Sequence, residues 1–240
     1  MKDRLTAFLQ TLLPKVKTNE FAGIAIYSET VRVVKLKQTE TDWSSVLVKE
    51  YPVERPEVVN KVIKFIIEDA ELENVPSVIV IPSDKVQSAQ IELSDLPEVD
   101  TQVSLPWKIK ELVSIPPQDM VCDYIAMDIQ PSGQAPKAQV IATHRSYLEF
   151  ILAPLHDKKI PVIAITTEQL VLARMQSTKD AAQLLFVQHS NTNAILLILK
   201  NQQICFARKI RGADTVINMT EAEVVDYGAD MVAIEIQRSI

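Results

Sequence analysis

Residues 21–36, FAGIAIYSETVRVVKL, constrain the fold of this chain more than any other stretch. Two apolar runs, 21–27 and 31–36, flank a short polar turn at Ser28, Glu29 and Thr30. Their β-branched residues and partial alternation predict a β-hairpin with one face toward a core. Because a lone hairpin is not stable in water, it must join a larger sheet that another layer covers. We therefore predict that a mixed α/β domain opens here.

The elements that follow the hairpin extend this domain. A third strand is predicted over about 45–53, and apolar residues at helical spacing predict an amphipathic helix over about 57–72. Pro56 suits the first turn of that helix. The run SVIVI at Ser77–Ile81 is wholly apolar, as in strands that are buried on both faces. Together these elements predict a mixed sheet with a helix on its face.

The middle of the chain has the pattern of a compact α+β insert. We predict a half-exposed strand over 86–93 and helical residues over 98–114 that Pro106 breaks or kinks. Two strands, 121–129 and 137–143, flank the loop PSGQAP. The remaining predicted elements of this part are a helix over about 145–156, a buried strand over 162–166 and a helix over about 168–175.

The pattern of the opening residues returns near residue 184. Three strands are predicted over 184–188, 194–199 and 204–210, with a polar first turn at 189–193 and a tight second turn at Asn201 and Gln202. Two lobes, each opening with a β-meander, are therefore expected. A final helix is predicted over 220–240, because Thr220 can cap it and Glu223 occupies the capping-box position.

Composition excludes several classes of function. The net charge is −6, and no basic stripe of the kind that binds nucleic acid is present. Cys122 and Cys205 are far apart and suit buried free thiols in a reducing compartment. No apolar segment approaches the roughly 18 residues of a membrane span. The first residues predict a short amphipathic helix rather than a signal peptide, with these residues on its apolar face: Leu5, Phe8, Leu9, Leu12 and Leu13.

Several stretches resemble the actin-like proteins of type IV pilus assembly, the PilM group, and most closely the MshI type of mannose-sensitive-haemagglutinin (MSHA) pilus biogenesis. The sequence GIAIYSETVRVVKL is similar to their first phosphate hairpin, and residues 105–124, LPWKIKELVSIPPQDMVCDY, are similar to part of their inserted subdomain. The second meander, with FARKI at 206–210, resembles their second phosphate hairpin. The motif EIQRS at 235–239 resembles a characteristic helix of the family.

The resemblance implies an α/β, actin-like (ribonuclease H-like) fold of two lobes with an inserted α+β (SHS2-like) subdomain. Because the family's last helix continues into a further subdomain, we expect the C-terminal lobe to be incomplete. The implied parts are an N-terminal helix and linker (1–20), a first actin-like subdomain (21–82), the insert (83–160), a return and crossover (161–182) and the start of the second lobe (183–240).

The resemblance also implies a function. It predicts a non-catalytic cytoplasmic scaffold, peripheral to the bacterial inner membrane at its cytoplasmic face. The scaffold would bind the cytoplasmic tail of an inner-membrane pilus assembly protein of the PilN or MshJ kind, in a groove between the first lobe and the insert. A link to the assembly motor ATPase is also implied. No nucleic-acid partner is expected. The oligomeric state stays open.

Nucleotide binding depends on the two phosphate turns. Actin-fold ATPases need an acidic residue and glycines in both, since the acid positions Mg²⁺ and water while glycine lets backbone N–H groups approach the phosphates. Here Ala25 stands where the family has aspartate, and neither turn contains glycine. We therefore expect no ATPase activity and no cofactor, with ATP or ADP and Mg²⁺ as the alternative. The hydroxyl, amide and acidic groups that remain in these vestigial turns are Ser28, Glu29, Thr30, Ser190, Asn191 and Thr192.

Other catalytic and binding interpretations have less support. His144, His156 and His189 are isolated, without a second ligand at metal spacing or an orienting acid. Trp107, beside Pro106, is expected to be a core anchor rather than an exposed partner contact. Two functions from other classes stay open: a working actin-like ATPase, and the cytoplasmic domain of a type II secretion protein of the GspL kind that recruits a motor ATPase.

Overall fold

The computed structural model describes residues 19–40, 42–92, 101–127, 135–175, 181–187, 194–210, 216 and 219–238. These residues belong to two compact units, of which the first ends at Glu168 and the second begins at Gln169. The amphipathic helix predicted over 1–13 lies outside the described residues. No helix in the described part is long and apolar enough to cross a membrane.

The first unit contains the predicted mixed sheet. Its five strands are ordered β3-β2-β1-β4-β8, with antiparallel pairing within the meander β1-β2-β3 and parallel pairing of β4 with β1 and β8. The strands are β1 (Glu20–Ile26), β2 (Thr30–Gln38), β3 (Trp43–Pro52), β4 (Ser77–Ile81) and β8 (Val162–Thr167). The hairpin, the third strand and the strand at Ser77–Ile81 that were expected from the sequence are thus confirmed.

Two helices cover one face of this sheet. They are α1 (Val59–Asp69), which follows a 3₁₀ turn at Pro56–Val58, and α3 (Arg145–Asp157). Helix α1 buries Val59, Ile63, Ile66 and Ile67, which recur at the spacing of one helical face. These side chains meet the inward residues of the strands in the main core. Helix α1 stops where Glu71 takes a left-handed conformation at φ 50°.

The opposite face of the sheet is less buried than the sequence predicts. In β4 only alternate residues are fully buried, so the strand is not enclosed on both faces. Strand β8, also expected to be buried, forms an edge of the sheet and leaves Ile165 40% exposed. Both predictions of complete burial are wrong, because an apolar run does not reveal whether a second layer covers it.

The insert of the first unit forms a second sheet with the strand order β5-β7-β6. Its elements are β5 (Gln87–Glu92), α2 (Thr101–Lys108), β6 (Met120–Met127) and β7 (Lys137–His144). Helix α2 includes Pro106 and ends two residues after it, so the predicted break is a helix end. Leu105, Ile109 and Met120 are fully buried in a small core beneath this sheet.

The second unit begins with most of helix α4 (Glu168–Met175) and contains the predicted second meander. Its antiparallel strands are β9 (Gln183–Val187), β10 (Ala194–Lys200) and β11 (Gln203–Ile210). Ala173 of α4 packs against β10 in one core cluster. The tight turn is confirmed, since Asn201 and Gln202 have φ of 50° and 64°, as a type I′ turn requires.

The last helical segment starts at the predicted cap. The Thr220 hydroxyl accepts from the Glu223 N–H, and the Glu223 side chain accepts from the Thr220 N–H at 2.7 Å. The segment consists of α5 (Glu221–Glu223), a π-helical stretch Val224–Gly228 and α6 (Ala229–Gln237). The capping box is confirmed, and the π-helical stretch was not predicted. Gly228 fits closely there, since an added Cβ would lie 3.0 Å from the sulfur of Met219.

Candidate functional site

The first predicted phosphate turn is closed by its own backbone. The Tyr27 N–H donates to the Thr30 carbonyl at 2.8 Å, and the Glu29 carbonyl accepts from the Val53 N–H at 2.6 Å. Ser28 and Glu29 are exposed and Thr30 is half-buried. The structure thus brings these three predicted residues together at the end of β1. The other three, Ser190, Asn191 and Thr192, lie outside the described residues.

A groove of about 400 Å³ opens beside this turn, within the first unit. The end of β1 and the start of α1 form one side, while α3 and the residues after β4 form the other. Its lining residues come from four separate stretches: Ile26, Tyr27, Ser28, Pro56, Glu57, Val59, Pro82, Asp84, Lys85, Tyr147 and Phe150. The groove lies where the first sheet meets the 3₁₀ turn Ser83–Lys85 that leads into the insert.

The groove has an apolar floor and a charged rim. Ile26, Val59 and Pro82 are buried, whereas Glu57, Asp84 and Lys85 are exposed. The Lys85 ammonium lies 3.4 Å from the Asp84 carboxylate and 6.0 Å from the centre of the Tyr147 ring. Burial, and then the charge of Asp84, raise the pKa of Tyr147 far above its usual value. The phenol therefore stays neutral, and it can act as a hydrogen-bond donor.

Tyr27 belongs to a second set of contacts at the same end of the sheet. The Arg32 guanidinium lies 5.2 Å from the centre of its ring and forms a 2.6 Å ion pair with Glu50. Burial raises the pKa of Tyr27, and the charge of Glu168 adds to the effect. Glu168 is only 8% exposed, directly after β8. This buried carboxylate is close enough to the turn to influence it electrostatically.

Most of these site residues were not predicted from the sequence. Asp84 and Lys85 follow β4, and Glu168 follows β8; both strands are parallel to β1, and ligands bind at the carboxyl ends of such strands. The position of these residues, directly after parallel strands, could therefore have indicated the site from the sequence. Tyr147 and Phe150 are three residues apart on α3, where a helical face brings them to the same side. Nothing local in the sequence indicates that this side faces α1.

The structure also shows the contacts and the exposure of the remaining candidate residues. Arg208 of β11 pairs with Glu235 of α6 at 3.1 Å. Both cysteines are half-buried free thiols rather than fully buried ones, and burial followed by the charge of Asp123 raises the pKa of Cys122 to about 11. Trp107 is 61% exposed, so the prediction of a core anchor is wrong. No cluster of metal-ligating side chains occurs among the described residues.

These contacts suit the recognition of a ligand. An enclosed apolar floor with a few polar groups at its rim binds apolar side chains and orients them. The neutral Tyr147 hydroxyl and the Asp84 and Lys85 pair can bind polar groups of the same ligand. The groove therefore suits a short peptide with an apolar anchor.

Comparisons with known proteins define the fold class. No protein-family model and no curated protein sequence matches the chain. Among solved structures, a PilM–PilN type IV pilus biogenesis complex matches with a TM-score of 0.63 and 15% identity over 94% of this chain and 70% of that chain. The cytoplasmic domain of EpsL, an inner membrane component of the type II secretion system of Vibrio cholerae, matches with a TM-score of 0.52 and 13% identity over 84% and 76% of the two chains.

A third structure names the fold directly. A Bacteroides thetaiotaomicron protein with an actin-like ATPase fold and unknown function matches with a TM-score of 0.50 and 10% identity, over 83% of this chain and 74% of that one. The chain therefore has an actin-like fold, as the sequence predicted.

Proposed function

We propose that this chain is a non-catalytic adaptor of type IV pilus biogenesis, of the MSHA type, that acts at the cytoplasmic face of the inner membrane. Its ligand is the short cytoplasmic tail of an inner-membrane assembly protein, which it binds in the groove between α1 and α3. The observation that carries this proposal is the apolar groove of about 400 Å³ at the junction of the first sheet and the insert.

The groove matches an extended peptide in size and chemistry. Its volume lies in the range of sites that hold a few side chains, roughly 300–1,000 Å³. The exposed Phe150 can pack on an apolar residue of the tail, and the Tyr147 hydroxyl can donate to a peptide carbonyl. The similarity to a structure of PilM bound to PilN supports a tail of that kind. The resemblance of the sequence to the MshI type supports the MSHA assignment.

The lack of catalysis is part of this proposal. The described turn contains no glycine, and the Glu29 carbonyl is held by the Val53 N–H. A triphosphate would therefore approach an exposed carboxylate and a hydroxyl instead of a nest of N–H groups. We infer that neither ATP nor Mg²⁺ is needed for the tail to bind.

A second function has its own support, a role in type II secretion of the GspL kind. The EpsL domain shares the fold over 84% of this chain. The two functions differ in the bound partner, which is a motor ATPase in the second function and the tail of a pilus membrane protein in the first, so binding to each partner separates them.

Isothermal titration tests the proposal. The chain is titrated with the N-terminal cytoplasmic peptide of a PilN-type pilus assembly protein, with a type II secretion motor ATPase, and with Mg-ATP. We expect the pilus peptide alone to bind. Phe150→Asp should weaken binding at least tenfold, about 1.4 kcal/mol, because a charge then borders the apolar floor.

The matched control is Phe65→Asp, which changes an exposed phenylalanine of α1 that does not line the groove. Equal effects of the two substitutions would exclude the groove as the binding site. Tight binding of Mg-ATP would replace the adaptor function with that of a nucleotide-dependent protein. Binding of the motor ATPase without binding of the pilus peptide would favour the second function.

A further inference from the structure

The insert exposes an unusual amount of apolar surface around helix α2. Three large apolar side chains within ten residues face solvent: Val103 is 72%, Trp107 61% and Leu112 54% exposed. We call these three residues the Trp107 surface. Val103 and Trp107 are four residues apart and therefore lie on the same helical face. The fully buried Leu105 and Ile109 fix α2 to the insert core, so this exposure follows from how the helix is packed.

Two lysines lie close in sequence to the Trp107 surface. Residues 103–112 contain Lys108 and Lys110 together with one acid, Glu111. Both lysines are exposed, and Lys110 lies 3.7 Å from the Glu111 carboxylate. Lysines beside an apolar patch can direct their charge to anionic groups while their methylene chains cover apolar atoms.

We propose that the Trp107 surface binds the surface of an anionic lipid bilayer. Tryptophan is favoured at the boundary of lipid and water, because its ring is apolar and its N–H can find a polar partner. Flanking lysines add attraction to anionic headgroups. The combination of exposed Trp, Val and Leu with lysines is that of a surface that inserts shallowly, without crossing the membrane.

The size of the surface favours lipid over a protein partner. A stable protein interface buries about 800 Å² on each partner, far more than two side chains of one short helix and a third from the turn after it supply. A lipid surface can be bound by fewer side chains, because they insert into it individually. In the proposed function a membrane-anchored tail adds to this binding, since it raises the local concentration of bilayer. Lipid binding does not depend on the tail, and vesicles without any tail peptide test it separately.

The test is sedimentation of the whole chain with vesicles of equimolar phosphatidylcholine and phosphatidylglycerol, compared with phosphatidylcholine alone. We expect binding to the anionic vesicles that weakens at high salt. Trp107→Ser should reduce the partition coefficient about tenfold, because it removes the largest inserting side chain. The control Phe65→Ser removes another aromatic ring, which is 58% exposed on α1, and should leave the partition coefficient unchanged.

Tryptophan emission gives a second readout. The chain has two tryptophans, and Trp43 packs edge-on against Phe21 at 5.1 Å, so Trp43→Phe leaves Trp107 as the reporter. Its emission should shift to the blue on anionic vesicles.

Three results would overturn the proposal. They are no binding beyond that to neutral vesicles, binding that Trp107→Ser does not weaken, and an unshifted Trp107 emission in the bound state. If Trp107→Ser instead weakens capture of a partner protein and leaves vesicle binding unchanged, the surface binds protein and not lipid. Far-ultraviolet circular dichroism of each variant confirms that the chain is folded, as expected for a change at an exposed side chain.

Discussion

Replacing Ile63 by alanine should destabilise the first unit more than removal of the larger Phe65 side chain from the same helix. Ile63 is fully buried between α1 and the sheet, whereas Phe65 is 58% exposed. The change Ile63→Ala removes three carbons, worth about 2.4 kcal/mol at roughly 0.8 kcal/mol for each. The cavity left in a packed core raises the total to about 3–4 kcal/mol.

The expected cost of Phe65→Ala is smaller, although more atoms are removed. Less than half of the side chain is buried, and its ring approaches Tyr51 edge-on at 6.0 Å. Together these give about 1 kcal/mol. The comparison matters for function, because α1 forms one wall of the groove and Ile63 helps to hold it in place.

Urea unfolding followed by tryptophan fluorescence measures both values. The two tryptophans, Trp43 and Trp107, are both in the first unit, so the signal reports that unit and not the second. Unchanged slopes of the free energy of unfolding against urea would show that the midpoints can be compared. The packing argument is refuted if Phe65→Ala costs as much as Ile63→Ala, or if Ile63→Ala costs less than about 1 kcal/mol.

Three further predictions follow from local contacts. Hydrogen bonds from Lys49 and then from Tyr51 lower the pKa of Asp69. The stability that this carboxylate contributes is therefore present above its unfolded pKa and is lost as pH falls toward the lower folded pKa. In urea titrations at acid pH, Asp69→Asn should remove the part of the stability loss that comes from protonation of Asp69. Because the pKa of Cys122 is raised to about 11, iodoacetamide should label it about a hundredfold more slowly at pH 8 than a thiol with a pKa of 9.0, as mass spectrometry of native and unfolded samples can show. Thr220→Ala should cost about 1 kcal/mol at the start of the last helical segment and increase amide exchange over 221–228, while an exposed substitution such as Asp230→Ala should not.

Local patterns predicted the elements well because local chemistry determines them. Alternation and β-branched residues specify both meanders, and Asn201 and Gln202 accept the left-handed conformation of a tight turn. The capping box needs only Thr220 and Glu223, three residues apart. Each of these signals is contained within a few residues, so no tertiary contact had to be known.

The errors concern burial, which depends on distant parts of the chain. Leu105 and Trp107 are both apolar and two residues apart on α2, yet one is buried and the other is exposed. Helical periodicity places them on different faces but does not say which face meets the insert core. The same holds for β4 and β8, whose apolar runs suggested two covered faces. The π-helical stretch has no sequence rule comparable to a cap.

The groove was the hardest feature to predict, since four stretches between Ile26 and Phe150 build it. Its dependence on the core also bears on its function. The walls are α1 and α3, and the main core holds both helices against the sheet through residues such as Ile63 and Ile151. The β1–β2 turn adds only Tyr27 and Ser28 to the lining. Substitutions in this turn therefore leave both walls in place, so the peptide site of the proposed function does not depend on a working phosphate turn.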